Sequence, residues 1–492
     1  MSDLGEKIKQ VFGSVAVYKD PKNYEAFNGY NLPSFIKDYI VSMHIAPDGT
    51  LRSDAMLQFL GDHIPQENNA VKSRLRLGEV MTLLTRFIVS TNLHSNCVQF
   101  SIPDLGINYG ETEIPHHLIV QYPNDLIDGE RWGIMKLVYI PPSDGSSGHV
   151  EMIDFRPFRP IENMDLDYYR QCRRQFTLDE WIDVLISAME YNPKAFASKT
   201  QKLEFLTRLL PFIEPRLNMV EFAHMGTGKS YVFGQLSKYV WLVSGGKVSR
   251  AKLVYDKAKQ VPGIMRYYDL VGFDELQSIT FSDPAEIQAF LKNYLEYGKA
   301  TVDNYEFMSQ CGLILLGNID LDGENNPLEE NYFKKMPEIF HEAATLDRFH
   351  GMIEGWRLPR IDSSMVLQGW TLNTEFFSET LHQMRTEGQY VDIVNQLVAL
   401  PPKMDERHKK AVVRMATAYL KLLFPNVIGA ESIDSSDFDM YCLQPAIHRR
   451  DVIRQQCAIN DTGSTYQKPM PDILVRNNDS KSDTPVKGKI EK

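Results

Sequence analysis

Residues 221–234 read EFAHMGTGKSYVFG. A loop that holds nucleotide phosphates has Gly, four residues, then Gly-Lys-Ser/Thr; here Ala223 takes the first place, and Gly226, Thr227, Gly228, Lys229 and Ser230 complete the pattern. The departure is one methyl group. NMVEF before the loop has strand character, and SYVFGQLS after it begins as a helix. In that setting the glycines let backbone N–H groups turn toward a β-phosphate at a helix N-terminus. Lys229 would neutralise β and γ oxygens, and Ser230 would ligate Mg²⁺. A glycine-rich turn with a solvated lysine is the alternative, and the strand-loop-helix context speaks against it. The stretch therefore predicts an α/β core that binds ATP with Mg²⁺.

Working outward, a metal-supporting carboxylate is expected at the end of another buried strand. YYDLVGFDE, residues 267–275, supplies one about 45 residues downstream. Asp274 would join the Mg²⁺ shell, and Glu275 would orient and deprotonate the attacking water. CGLILLGNID, residues 311–320, is a further apolar strand; Asn318 at its tip suits the sensor role of AAA+ ATPases, with a turn-forming asparagine as the plainer reading. In AATLDRFHGMIEGW, Arg348 is placed like the arginine finger that one subunit of an AAA+ ring lends its neighbour, although spacing alone also allows a surface arginine. Arg407, opening RHKKAVVRMATAYLKLLF, is a second-sensor candidate, with Arg414 on the same helix as its rival.

The 492 residues exceed one hydrophobic core, so several domains are expected. Short helical pieces fill residues 1–90, short β-branched and aromatic runs between Pro/Gly turns fill 91–160 as a compact β domain of barrel type, and helices connect over 161–210. The ATPase core is placed at 211–370, a helical lid at 371–460, and a polar, disordered tail at 461–492. A net charge of −11 excludes a molecule that is basic overall, so DNA contact requires a local basic surface. Five scattered cysteines without zinc spacing, and no apolar run of spanning length, predict a reduced cytoplasmic protein with no membrane partner.

QFTLDEWIDVLISAMEYNP, GTGKSYVFGQLS, LVGFDE, LGNID and LDRFHGMIEGW, in this order, resemble the BrxL family, the Lon-like AAA+ proteins of bacterial BREX anti-phage systems. The likeness runs from about residue 10 to about 455. It implies an AAA+ core similar to that of MCM helicases, an N-terminal DNA-binding region, hexameric or stacked rings that enclose double-stranded DNA, and contacts with other BREX components. Typical members continue into a Lon-type peptidase domain with a Ser/Lys dyad. The residues after 460 lack length for one, and no nucleophilic-serine context occurs, so no peptidase activity is expected.

A ring around DNA should present basic residues to its hole. Lys247, Arg250 and Lys252 in GGKVSRAK, Lys299 in the hairpin YGKATVDNYEF, and Lys72, Arg74 and Arg76 in VKSRLRLGE are the candidates; Arg74 and Arg76 read better as a solvated face. The rival is a protein-remodelling ATPase whose pore grips a polypeptide with aromatics, for which Tyr294, Tyr297, Tyr305 and Phe307 qualify. A scaffold ATPase that uses nucleotide only to set its assembly state is the third possibility.

Overall fold

The structure is a computed structural model, which describes residues 4–30, 32–46, 51–64, 68–92, 97–123, 125–126, 129–143, 147–158, 164–257, 261–302, 304–463 and 465–476. The chain divides into two units: Met1–Pro21, Pro33–Phe35 and Asn163–Lys492 form one, and Lys22–Leu32 with Ile36–Glu162 the other.

In the second unit, β1 (Met81–Asn92), β2 (Cys97–Ser101), β3 (Thr112–Glu113), β4 (Gly129–Ile140) and β5 (His149–Pro157) form one sheet. Its strands begin at Met81, inside the stretch expected to be helical, because MTLLTRFIVSTN carries several β-branched residues and sends the alternate side chains Met81, Leu83, Phe87 and Val89 into one core. β1 pairs antiparallel with β2 and β4, β4 antiparallel with β5, and β5 parallel with β3. An antiparallel bridge between Val98 and Ile114 joins the two ends and closes the sheet. With a helix, His116–Gln121, between the third and fourth strands, this is the connectivity of the five-stranded OB-fold barrel. The helix Asn68–Arg76 places Val71 and Leu75 in the barrel's core.

The first unit is built on a parallel sheet of β6 (Met219–Ala223), β7 (Val240–Val248), β8 (Leu270–Phe281), β9 (Gly312–Asn318) and β10 (Gly351–Glu354). Its spatial order is β10-β6-β9-β8-β7, with every pair parallel. Both faces are covered, so β6 is buried at all five positions and reads as a continuous run with no alternation. Helix α1 (Lys229–Gln235) follows β6, and α2 (Pro284–Tyr297) leads into a hairpin of Lys299–Val302 with Tyr305–Met308. This is the α/β P-loop ATPase core that the loop sequence predicts.

Helices precede and follow that core. Leu178–Ala188 starts with a full capping box: Thr177 accepts from the Glu180 N–H, and the Glu180 carboxylate accepts from the Thr177 N–H. The N-terminal arm belongs to this unit as well. Phe12 is fully buried, stacked with Phe176 and Trp181, and Ala16–Lys19 pairs antiparallel with Gly369–Leu372. Helix α3 (Glu406–Leu423) carries Arg407 and Arg414. Order continues into the stretch expected to be disordered: Leu474–Val475 pairs with Val398–Ala399, and Arg454 donates to the carbonyls of Tyr466 and Lys468. Residues 477–492, the rest of that tail, lie outside the described residues.

Candidate nucleotide site

Parallel strands deliver their C-terminal tips to one edge, and register decides which tips meet. Ala223 stands opposite Asn318, and Phe273 opposite Leu315. The turn after β6, the carboxylates of β8 and the amide of β9 therefore converge by construction. A cavity of about 310 Å³ is lined by Gly226, Thr227, Gly228, Lys229, Ser230, Asp274, Glu275 and Asn318 together. Gly226 and Gly228 have φ of +84° and +77°, which only glycine adopts readily, and α1 starts at Lys229.

Within the cavity the buried Lys229 ammonium donates to the Asn318 Oδ1 at 3.1 Å and to the His224 carbonyl at 3.3 Å. Burial pulls its pKa below the ordinary lysine value. No carboxylate lies within ion-pair distance of it in the described structure, so this cation is desolvated and lacks a direct counter-charge. Asp274 is buried and accepts from the Glu275 N–H at 2.9 Å, whereas Glu275 is exposed and held at φ +50°, in a bulge where β8 loses register with β7. Such strain in a non-glycine residue costs about 1–3 kcal/mol and persists where surrounding structure over-determines it. Gln277 donates to the Asn318 carbonyl at 2.6 Å and ties the two tips together. The oxygen donors of Ser230 and Asp274 suit a hard cation such as Mg²⁺, which keeps water and phosphate oxygens in its shell and needs few protein ligands.

Three supports of this loop were not found in the sequence. Arg208 and Glu221 form an ion pair with no solvent exposure, and the Arg208 guanidinium donates to the Thr227 carbonyl at 2.8 Å, bracing the loop from below. A glutamate inside the apolar NMVEF strand was the available signal. Gly355 lets β10 close on the end of β6: a Cβ at 355 would lie 2.6 Å from the Ala223 methyl and 2.9 Å from both the Glu221 carboxylate and the Phe222 carbonyl. Ile361 N–H donates to the Gly226 carbonyl at 2.8 Å, and Arg360 reaches the His224 ring at 3.1 Å.

The arginines expected to act on nucleotide gather elsewhere. His350 precedes β10, and its N–H donates to the Asn218 carbonyl beside the start of β6, so the residues around it lie at the N-terminal ends of the strands. β6 is five residues long, about 16 Å at roughly 3.3 Å per residue. Arg348 and Arg407 share a second cavity, of about 170 Å³, with Arg414, Arg450 and Lys410. Arg407 pairs with Glu296 at 2.8 Å and Asp347 at 3.0 Å, and Arg450 pairs with Asp347. The Arg348 Nη1 donates to the Ala344 carbonyl, and its buried Nε has no hydrogen-bond partner among the described residues. Arg414 donates to the Arg216 carbonyl and to the His350 Nε2. None of these three arginines is brought to the chain's own phosphate loop.

Among the basic candidates, Lys247, Lys252 and Lys299 are exposed, while Arg250 is paired with Glu286 at 2.5 Å. Lys72 donates to the Gly106 carbonyl and Arg74 pairs with Glu79. Of the aromatic grips, Tyr294 and Phe307 are core residues, the Tyr294 hydroxyl donating to the Cys311 carbonyl. Tyr305 stacks on Tyr255, and Tyr297 is exposed.

A family model described as "Lon-like protease BrxL-like, ATPase domain" matches residues 150–470 and so contains the whole cavity. The chain belongs to the BrxL family. A second family model, "BREX system Lon protease-like protein BrxL N-terminal", matches residues 10–139. The chain is 27% identical over 460 residues to a Lon-like protease BrxL of Escherichia coli O9:H4 (strain HS), covering 92% of this chain and 64% of that protein. It is 28% identical over 435 residues to a Lon-like protease BrxL of Bacillus cereus (strain H3081.97), covering 87% and 63%. The chain thus spans just under two thirds of the length of these BrxL relatives. No described helix is long and apolar enough to cross a membrane.

Proposed function

We propose that the chain binds ATP with Mg²⁺, hydrolyses it at a site completed by a second copy of itself, and uses the cycle to engage double-stranded DNA in BREX-type defence. The convergence of Lys229, Ser230, Asp274, Glu275 and Asn318 in one cavity carries the first part. The phosphates lie over the turn at 226–230, Lys229 supplies positive charge, and Glu275 takes the proton of the attacking water. Bound Mg²⁺ would draw charge from the phosphate oxygens, with Ser230 and Asp274 holding it.

Completion in trans rests on Arg348. Its Nε makes no hydrogen bond among the described residues and lies 3.6 Å from the Glu296 carboxylate, which Arg407 also pairs with, so two guanidinium groups share one acid at this edge. That surplus of positive charge would meet a neighbour's γ-phosphate. That arrangement calls for a closed ring, for which a hexamer is the proposed form.

DNA is supported by exposed Lys247 and Lys299 on the ATPase unit and, at the level of fold analogy, by the OB barrel. The protein-remodelling alternative loses Tyr294 and Phe307 to the core and retains Tyr297. Both the family's printed name and an ATP-driven motor are compatible with that alternative, so the deciding experiment compares ATP turnover with and without duplex DNA at two salt concentrations, alongside mass in solution. Salt-sensitive stimulation in a multimer is expected. Turnover indifferent to DNA would overturn the DNA assignment, and turnover by a monomer would overturn the shared site.

A further inference from the structure

Glu190 and Tyr191 hold the junction between the phosphate loop and α1 from both sides. Glu190 follows the helix Leu178–Ala188 with φ +72°, a left-handed conformation that a non-glycine residue keeps only where its surroundings enforce it. Those surroundings come from four other segments of the same unit. Its Oε1 accepts from the Lys19 ammonium at 2.7 Å and from the Thr374 hydroxyl at 3.1 Å. Its Oε2 accepts from the Ser34 hydroxyl at 3.0 Å and from the Tyr231 hydroxyl, which lies on the first turn of α1, two residues past Lys229. Ser34 and Tyr231 are themselves 3.1 Å apart.

The other half of the grip is steric. The Tyr191 hydroxyl oxygen lies 2.5 Å from where a Cβ on Gly228 would stand, and its ring meets that of Tyr231 edge-on at 6.1 Å. Lys19, Ser34 and Thr374 are buried, so this polar cluster is a costly feature for packing alone. Burial pushes the Glu190 carboxyl up, but the charge of Lys19 and its hydrogen bond outweigh that and keep it ionised.

We propose that the N-terminal arm is a working part of the nucleotide site: Lys19 and Ser34 hold Glu190, which with Tyr191 sets the loop-to-helix turn that receives the phosphates. All four are positioning residues. Lys19 and Ser34 fall within the stretch matched as the family's N-terminal region, yet they belong structurally to the ATPase unit. This inference rests on the nucleotide reading of the 226–230 turn.

The test uses the full chain, a fluorescent ATP analogue with Mg²⁺, and thermal unfolding of the same samples. Tyr231→Phe removes one hydroxyl, and it should weaken binding by about fivefold, the scale of one hydrogen bond, with little change in unfolding midpoint. Lys19→Met should weaken binding by at least as much, Lys19→Arg should restore part of the loss, and the double variant should lose less than the product of the single losses, because both act through Glu190. Wild-type affinity in Tyr231→Phe would overturn the proposal even if Lys19→Met unfolds, and so would a Lys19→Met that loses only thermal stability. A wild-type chain that binds no nucleotide would instead remove the reading beneath it, whereas loss in Lys229→Ala with none in Tyr231→Phe sinks the positioning role alone.

Discussion

In the proposed reaction Lys229 and Glu275 divide the work at the cavity, and their environments differ accordingly. Lys229 is a buried cation with no carboxylate within ion-pair distance among the described residues, so it would meet the charge of a triphosphate at little further desolvation cost. Lys229→Ala should therefore abolish binding in a nucleotide-affinity measurement, and wild-type affinity would remove it from the site. Glu275 is exposed, so Glu275→Gln should bind as the wild type does while turnover falls by about 10²–10⁴-fold, the range for loss of a general base. Equal loss of affinity and turnover would contradict that division. These residues were legible because a phosphate loop and a strand-end acid pair are local patterns. Gly355 was not, since its role is set by Glu221, Phe222 and Ala223, 132 to 134 positions earlier. Gly355→Ala should cost about 1–3 kcal/mol by overpacking, and Ala223→Gly in the same chain should recover only part of it in a urea titration, because the Phe222 carbonyl and the Glu221 carboxylate still crowd the new methyl; full recovery would assign the whole cost to the Ala223 methyl.

At the scale of elements, strand order explains which expectations met. β6, β8 and β9 are neighbours, so residues from three separated stretches arrive at one edge without any side chain having to reach far. Helix α3 is legible as a helix from its spacing, yet nothing in that spacing says which end of the sheet it covers. The structure places its Arg407 and Arg414 with Arg348 at the opposite edge. The capping box at Thr177 was readable because four adjacent residues make it, whereas the strand Leu474–Val475 was hidden in a polar tail because two residues of pairing leave no periodicity. If the arginine edge serves a neighbouring copy, Arg348→Ala chains mixed with wild type should depress turnover beyond dilution, and Arg348→Ala mixed with Lys229→Ala should regain activity. Strictly proportional loss and no regain would place Arg348 outside catalysis.

Across the whole molecule, acid should weaken the ATPase unit through the half-buried His408 and the buried His350. Burial, then the charge of Arg450, pushes His408 down to about 4, and burial with Arg414 holds His350 well below the ordinary value. The unfolded chain binds the proton near pH 6.5, before the folded one does, so stability is full above that pH and drains away as pH falls toward 4. His408→Gln should give a shallower fall in the unfolding midpoint between pH 7 and 5, and an unchanged slope would assign the loss to other groups. With a net charge of −11, the molecule relies on local basic surfaces for any polyanion, which is why salt dependence is informative. Beneath all of this lies the proposed grip of the 226–230 turn and the 274–275 tip on one magnesium-bound triphosphate. Titration calorimetry of the full chain with ATP and Mg²⁺ addresses it directly: saturable heat at one nucleotide per chain, absent in Lys229→Ala, is the expected result, and a wild-type chain that gives no heat would contradict it.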